Sequence, residues 1–449
     1  KLLQANPTNL IAKNLSGDYF KIDANGDGEI EVNEALEVSF LNVSFSDINS
    51  VDPIDDFVNL KFLSCNNNNI SSINTQNLVN VEYLLCSNNN LVAIDISSLV
   101  NLKYFECNSN QISNLNLNNN TSMTYLACSG NLLTSLDASE LINLKELYCQ
   151  NNSISSLNVL GLSNLLQLSC FNNLLTDLDV SGLHLTSLIC SSNQLSSLNL
   201  QGMNLGSLYC GDNLFTSFDF SQMPSLGTLD CRNNQITQLN LEGCNIGNLN
   251  CSNNLITTLN LTGMLQPTCM EGCQANLTVS NNNLTSIFVK SAREDVNLIF
   301  NGNPNLEYIC TNDALIQLFQ NRATAYGYTN CVVNSYCSFT PGGTFYSIEG
   351  MSRYDFNNDG CNQSDFIIPN LNYAITNGLV SGNLFANQTG NYFIPVQAGS
   401  LIVTPFIENS SYFTVSPTNV TVNFPINVSP FNQNFCITPN GVHADLEVL

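Results

Sequence analysis

The sequence contains no tryptophan, two histidines and only 11 lysines and arginines in 449 residues. Each shortage excludes something. Against 35 aspartates and glutamates, the basic residues leave a formal net charge of −24. That field repels phosphate backbones and anionic lipid surfaces, so nucleic acid and membrane surfaces are poor partners. No apolar run reaches the roughly eighteen residues of a bilayer-spanning helix, so no direct membrane insertion is expected. His184 and His443 are the only side chains that ordinarily ionise near neutral pH, and neither belongs to a Ser-His-Asp order. With no glycine-rich phosphate loop either, the expectation is a non-catalytic protein. Paired carboxylates carry little signal in so acidic a chain. The chain opens on Lys1 rather than Met, as expected after removal of a secretory signal.

Cysteine, by contrast, is abundant and periodic. Cys65, Cys86, Cys107, Cys128, Cys149, Cys170, Cys190, Cys210, Cys231 and Cys251 recur at intervals of 20 or 21 residues. A fixed period of this length marks a solenoid. The full phrase is LxxLxCxxNxLxxLxL, as in Leu144, Leu147, Cys149, Asn152, Ile154, Leu157 and Val159. Val43 takes the cysteine slot before the run, and Val279 and Phe300 take it after, for 13 repeats in all. In an extended segment side chains alternate, so Leu147 and Cys149 point inward while Glu146 and Tyr148 point outward. Stacked turns then build a parallel sheet. The asparagines (Asn68, Asn89, Asn110, Asn131, Asn152 and their successors through Asn254) are expected to form an internal hydrogen-bonded ladder where the chain bends.

Disulfides, metal and core packing compete for the cysteines. In-register strands hold their Cβ atoms near ~4.8 Å, beyond the usual ~3.8 Å of a bridge. Zinc needs a tetrahedral cage, which a straight row does not offer. Free cysteine behaves as a small hydrophobe, so the row is read as inert core.

The phrase resembles the leucine-rich repeat signature LxxLxLxxNxL over about residues 38–310, with cysteine replacing the third leucine as in a short 21-residue bacterial subclass. The resemblance implies a curved solenoid, mainly β, with its parallel sheet on the concave face, and a role in binding, usually of protein. The outward slots hold a stripe, Phe62, Tyr83, Tyr104 and Tyr125, with Leu85, Glu106 and Tyr148 beside it and Tyr209 further on. Aromatics suit binding hot spots. The same stripe also suits a self-stacking ladder. A protein or glycan ligand is the expected partner. The long repeat "LTGMLQPTCMEGCQAN" reads as a loop pinned by Cys269 and Cys273.

Two segments carry calcium-type spacing. In "FKIDANGDGEIEVNEAL", Asp23, Asn25, Asp27, Gly28, Glu29 and Glu34 match D-x-N-x-D-G-x-I-x-x-x-E. Asp23, Asn25 and Asp27 would offer side chains, Glu29 its carbonyl, and Glu34 a bidentate clasp, with Glu31 acting through water. The segment resembles one EF-hand, which implies flanking helices and a helical cap on the first turn. In "YDFNNDGCNQSDF", Asp355, Asn357, Asp359 and Asp365, with the carbonyl of Cys361, form a second, imperfect loop.

The expected organisation is a cap over 1–37, the solenoid over 38–309, a helical C-terminal cap over 310–337 closed by a Cys310–Cys331 disulfide, and a β-sandwich over 338–449. Cys337 and Cys436 are candidates for bridging the sandwich's outer strands, leaving Cys361 odd. The last region resembles prealbumin-like or B-type stalk modules of bacterial surface proteins. The combination resembles secreted or cell-surface proteins of the Bacteroidetes type, a class that ordinarily ends in a type IX secretion signal. Two roles follow: a surface binding or adhesion protein, or a calcium-rigidified spacer in a larger assembly.

Overall fold

The computed structural model describes residues 1–221, 223–264, 275–290, 296–337 and 345–441. The predicted Cys269–Cys273 pin and His443 lie outside them. The chain is mainly β, with about 13 solenoid turns and few helices. It divides into two compact units, Lys1–Thr216 with Gln222–Gln235 and Asn248–Cys251, and Ser217–Ser221 with Ile236–Gly247 and Ser252–Leu449.

In the first unit each repeat contributes a three-residue strand, such as Tyr83–Leu85, Tyr104–Glu106 or Glu146–Tyr148. The strands pair in parallel and in register, so Tyr83 faces Tyr104 and Leu84 faces Phe105. The middle residue and the cysteine that follows the strand turn inward. Leu84, Cys86, Phe105, Cys107, Leu147 and Cys149 are all fully buried. Burial first of all holds the thiols protonated: Cys128 is pushed up to about 12, and Cys149 lies well above its ordinary value through burial and then its neighbours Cys170 and Cys128. These cysteines are free and inert, as an apolar row should be.

The asparagine ladder closes the other side of each bend. Asn110 accepts the Leu91 N–H at 3.0 Å and donates to the carbonyls of Cys86 (3.0 Å) and Cys107 (3.1 Å). Asn131 repeats the pattern one turn on, with Ile112, Cys107 and Cys128. Each amide thus stitches consecutive turns through groups that would otherwise be buried without partners. The residue just before each ladder asparagine is left-handed, at φ values of 57° for Asn67, 56° for Asn88, 52° for Ser109 and 63° for Gly130. Asparagine and glycine tolerate that region, which explains the recurrent Asn-Asn pair.

The N-terminal cap departs from expectation. Its incoming segment is a strand, Ala12–Asn14, paired antiparallel with Val38–Asn42 at the sheet's edge, and not a helix. The outgoing helix is only Val32–Ala35. A strand wins because it satisfies the edge of the first turn directly: Asn42 donates its N–H to the Ile11 carbonyl at 2.7 Å.

In the second unit the strands Thr258–Asn260, Ser286–Phe288, Tyr308–Cys310 and Val332–Asn334 run parallel, and the last joins Ser381–Phe385 antiparallel through Asn334 and Leu384. Helix Ile316–Ala325 buries Ile316, Phe319 and Ala323. A second sheet is built on Tyr346–Tyr354. Ile348, Tyr373, Ile394, Val403, Val422 and Phe435 belong to one core cluster drawn from both sheets.

The disulfides also differ from expectation. Cys310 bonds Cys337, not Cys331, and Cys361 bonds Cys436. Cys310 lies opposite Asn334, three positions from Cys331 on one side and from Cys337 on the other, and Cys331 stays unbonded and half-buried. The Asn334 Oδ1 accepts the N–H groups of Tyr336 and Cys337 and curls the chain back onto Cys310. In the second, Cys436 lies opposite Arg353, and the 355–365 loop folds back to deliver Cys361 there.

Candidate functional site

The outward positions of the long parallel sheet carry a continuous aromatic column. Phe62, Tyr83, Tyr104 and Tyr125 occupy the first position of successive strands and face one another across the register. Ring centroids are 6.0 Å apart for Phe62 and Tyr83, 6.1 Å for Tyr83 and Tyr104, and 4.0 Å for Tyr104 and Tyr125. The next strand places Glu146 opposite Tyr125 and Tyr148 opposite Ala127. The small Ala127 leaves room for Tyr148 to lean across, with its ring 5.5 Å from that of Tyr125.

Sequence reasoning missed the column's start. Phe40 stacks on Phe62 at 4.4 Å and 12°. Lys13 Nζ lies 4.7 Å from the Tyr19 ring centroid and 5.2 Å from that of Phe40, a cation over two rings. Phe40 was legible as the outward slot of the Val43 repeat, whereas Lys13 and Tyr19 reach the column only because the cap is a strand. Tyr209 does not join, because Ser169 and Ile189 stand between it and Tyr148 in its row.

Carboxylates order the hydroxyls. Tyr104 donates to Glu106 at 2.7 Å, and Tyr148 contacts Glu146 and Gln167 at 2.8 Å each. Burial and then the Glu146 hydrogen bond push the Tyr148 phenol up to about 12. Leu85 lies directly opposite Glu106 in the adjacent row. Lys103 bridges to Glu82 at 2.6 Å. Tyr83 is the most open ring at 40% exposure; Tyr104, Tyr125 and Tyr148 are half-buried. The face is therefore preorganised: its rings hold one another, and their edges remain accessible.

The two acidic loops fare differently. In the N-terminal loop, Asp23 accepts the Gly26 N–H, Asp27 the Glu29 N–H, and Glu34 those of Ala24 and Glu31. Asn25 donates its amide to Asp27 and Glu31. Glu31 and Glu34 form a reciprocal capping box on the short helix. The hydrogen bond with Glu34 raises the Glu31 pKa, while the Glu29 N–H lowers that of Asp27. Asp23, Asp27 and Glu34 do not converge. Among the described residues, the one group of three or more potential ligands whose atoms lie within 4.8 Å of one another is Asp355, Asp359 and Asp365. Asp355 and Asp365 are buried, and Asp365 Oδ1 has no hydrogen-bond partner while its Oδ2 accepts the Asn362 N–H at 2.6 Å. An orphaned buried carboxylate oxygen beside two further carboxylates fits a divalent cation with oxygen ligands. Asn357 gives its amide to Asp359 at 2.9 Å, and Cys361 is fixed by its disulfide.

His184 is exposed, with its ring nitrogen 3.2 Å from the Ser163 carbonyl.

No protein-family profile and no curated protein matches the chain. Among solved structures, it is similar to the functional domain of InlJ from Listeria monocytogenes, which includes a cysteine ladder, at 20% identity and a TM-score of 0.54, covering 91% of this chain and 92% of that one. It is also similar to the internalin InlF of Listeria monocytogenes, at 22% identity and a TM-score of 0.47, covering 62% and 88%. The fold is that of a leucine-rich repeat solenoid.

Proposed function

We propose that this chain is a non-catalytic binding protein of a bacterial outer surface or secreted space, and that it holds a protein partner on the aromatic column of the exposed sheet face. The column carries the reading: five rings from Phe62 to Tyr148, each within 6.1 Å of the next, on strands rigidly in register. Rigid aromatics lose little conformational freedom on binding and anchor hot spots. Leu85 and Glu106 extend the patch into the adjacent row. The disulfides Cys310–Cys337 and Cys361–Cys436 support an oxidising, extracytoplasmic setting. The test is affinity capture with the intact chain and with a Tyr83→Ala, Tyr104→Ala, Tyr125→Ala variant, then measured affinity for the captured protein. At least a tenfold loss (about 1.4 kcal/mol) at unchanged melting temperature supports the reading; equal affinity overturns it.

A second reading, a calcium-rigidified spacer, is favoured by one observation, the orphaned Asp365 Oδ1. Asp355, Asp359 and Asp365 would hold Ca2+, which would supply positive charge that locks the 355–365 loop. The N-terminal loop would bind only if Asp23, Asp27, Glu34 and the Glu29 carbonyl turn inward together. Calorimetric calcium titration separates the sites: Asp365→Asn removes the first and Asp27→Ala the second. No heat and no calcium-dependent melting shift in the intact chain would exclude both.

A further inference from the structure

Strand Tyr346–Tyr354 has Asn391–Val396 antiparallel on one side and Phe431–Asn432 parallel on the other. In that register Glu349 lies between Phe393 and Asn432, and two residues on, Met351 lies opposite Asn391. Residues two apart on a strand share a face, so these side chains present together. The intervening Tyr392 points the other way, into the core, and donates its hydroxyl to the Gln433 carbonyl at 2.6 Å. Gly350, paired with Tyr392, is obligatory there, because a Cβ would lie 1.7 Å from that same carbonyl oxygen.

The outward residues line a cleft of about 820 Å³, a size typical of small-molecule sites. Its chemistry is distinctive. Among the described residues no hydrogen bond or ion pair engages the side chains of Glu349 or Asn432. Asn391 uses only its amide nitrogen, donating to Thr389 at 2.9 Å, and leaves its carbonyl oxygen open. Phe393 stands beside them, 40% exposed. Arg353 also reaches the cleft and donates one guanidinium nitrogen to the Asp365 carbonyl at 2.7 Å. The surface is therefore a carboxylate, open amides and one ring, with Arg353 as the one cation in its lining.

Vicinal hydroxyls need adjacent donors and acceptors, which amide and carboxylate groups supply, and the C–H face of a pyranose packs on an aromatic ring. Acidic glycans and phosphates would meet Glu349 and the net charge of −24, which the single Arg353 does not offset. A peptide strand finds no free edge, since the central strand is paired on both sides. We propose that this cleft binds a neutral oligosaccharide, with Glu349, Asn391 and Asn432 bonding hydroxyls and Phe393 packing against a sugar ring.

The probes are cellohexaose, maltohexaose, mannohexaose, xylohexaose and chitohexaose, with hexagalacturonate as the acidic control, titrated calorimetrically into the intact chain. At least one neutral probe is expected to bind and the acidic one not. Phe393→Ala and Asn432→Ala should each weaken binding about tenfold or more at unchanged melting temperature, a loss of one good contact. Phe393→Tyr should retain it, and Tyr104→Ala, in the aromatic column, should leave it intact. Binding abolished by Tyr104→Ala but untouched by Phe393→Ala would place any sugar on the column and overturn the proposal. So would no binding by any neutral probe, or preference for hexagalacturonate.

Discussion

Tyr104 and Tyr125 lie face to face, their ring centroids 4.0 Å apart and their planes 6° from parallel. They come from neighbouring turns, so the contact ties one repeat to the next from outside. A double-mutant cycle on Tyr104→Ala and Tyr125→Ala should return a coupling of about 1 kcal/mol beyond the area each ring buries. Urea unfolding of the four proteins measures it. Strict additivity would show that the rings stack without stabilising the sheet.

The inner tie is stronger. Asn131→Ala leaves the buried Ile112 N–H without its acceptor and takes one of two amide donors from each of the Cys107 and Cys128 carbonyls, which keep Asn110 and Asn152. The loss should be about 2 kcal/mol, set mainly by the desolvated N–H left unmade. Asn118→Ala, at an exposed asparagine, should stay within about 0.5 kcal/mol. Similar values for both would remove the ladder from any account of stability.

Stability should also decline steeply in alkali. The unfolded chain's thiols ionise near their ordinary value of 9.0, whereas burial holds Cys65, Cys128, Cys190 and Cys251 at about 12 when folded. Stability is then full below pH 9 and falls as pH rises toward 12, because the unfolded chain binds fewer protons there. Each ladder thiol contributes about 1.4 kcal/mol per pH unit to the slope. Urea midpoints measured from about pH 8 to pH 11 test this, and Cys149→Ala should flatten the slope by one thiol's share. A midpoint constant across that range would contradict the buried, protonated row.

The repeat was legible because one side-chain pattern recurs in fixed phase. Leu147 and Cys149 inward, Tyr148 outward and Asn152 at the bend follow from alternation and turn chemistry alone. What escaped was set by contacts distant in sequence. Cys331 and Cys337 lie equally far from Asn334, the residue paired with Cys310, and the turn held by the Asn334 side chain brings Cys337 back to Cys310. Spacing is also a partial guide to the acidic loops. Asp23, Asp27 and Glu34 keep ideal spacing and accept backbone N–H groups, as Asp355 and Asp365 do in the second loop. Asp355, Asp359 and Asp365 have imperfect spacing and still converge, in a loop that Cys361–Cys436 fastens to the neighbouring strand.

The left-handed residue before each ladder asparagine has one more consequence. Asn67, Asn88, Ser109, Gly130 and Asn151 bend the chain at the same point of every turn, and the amide that follows joins its own turn to the one before through equivalent atoms. A whole repeat could therefore be duplicated or deleted in the gene, and each broken bond would find an identical partner in the next copy. The sheet's length, and with it the number of rings it displays, is open to change by recombination without redesign of any single turn.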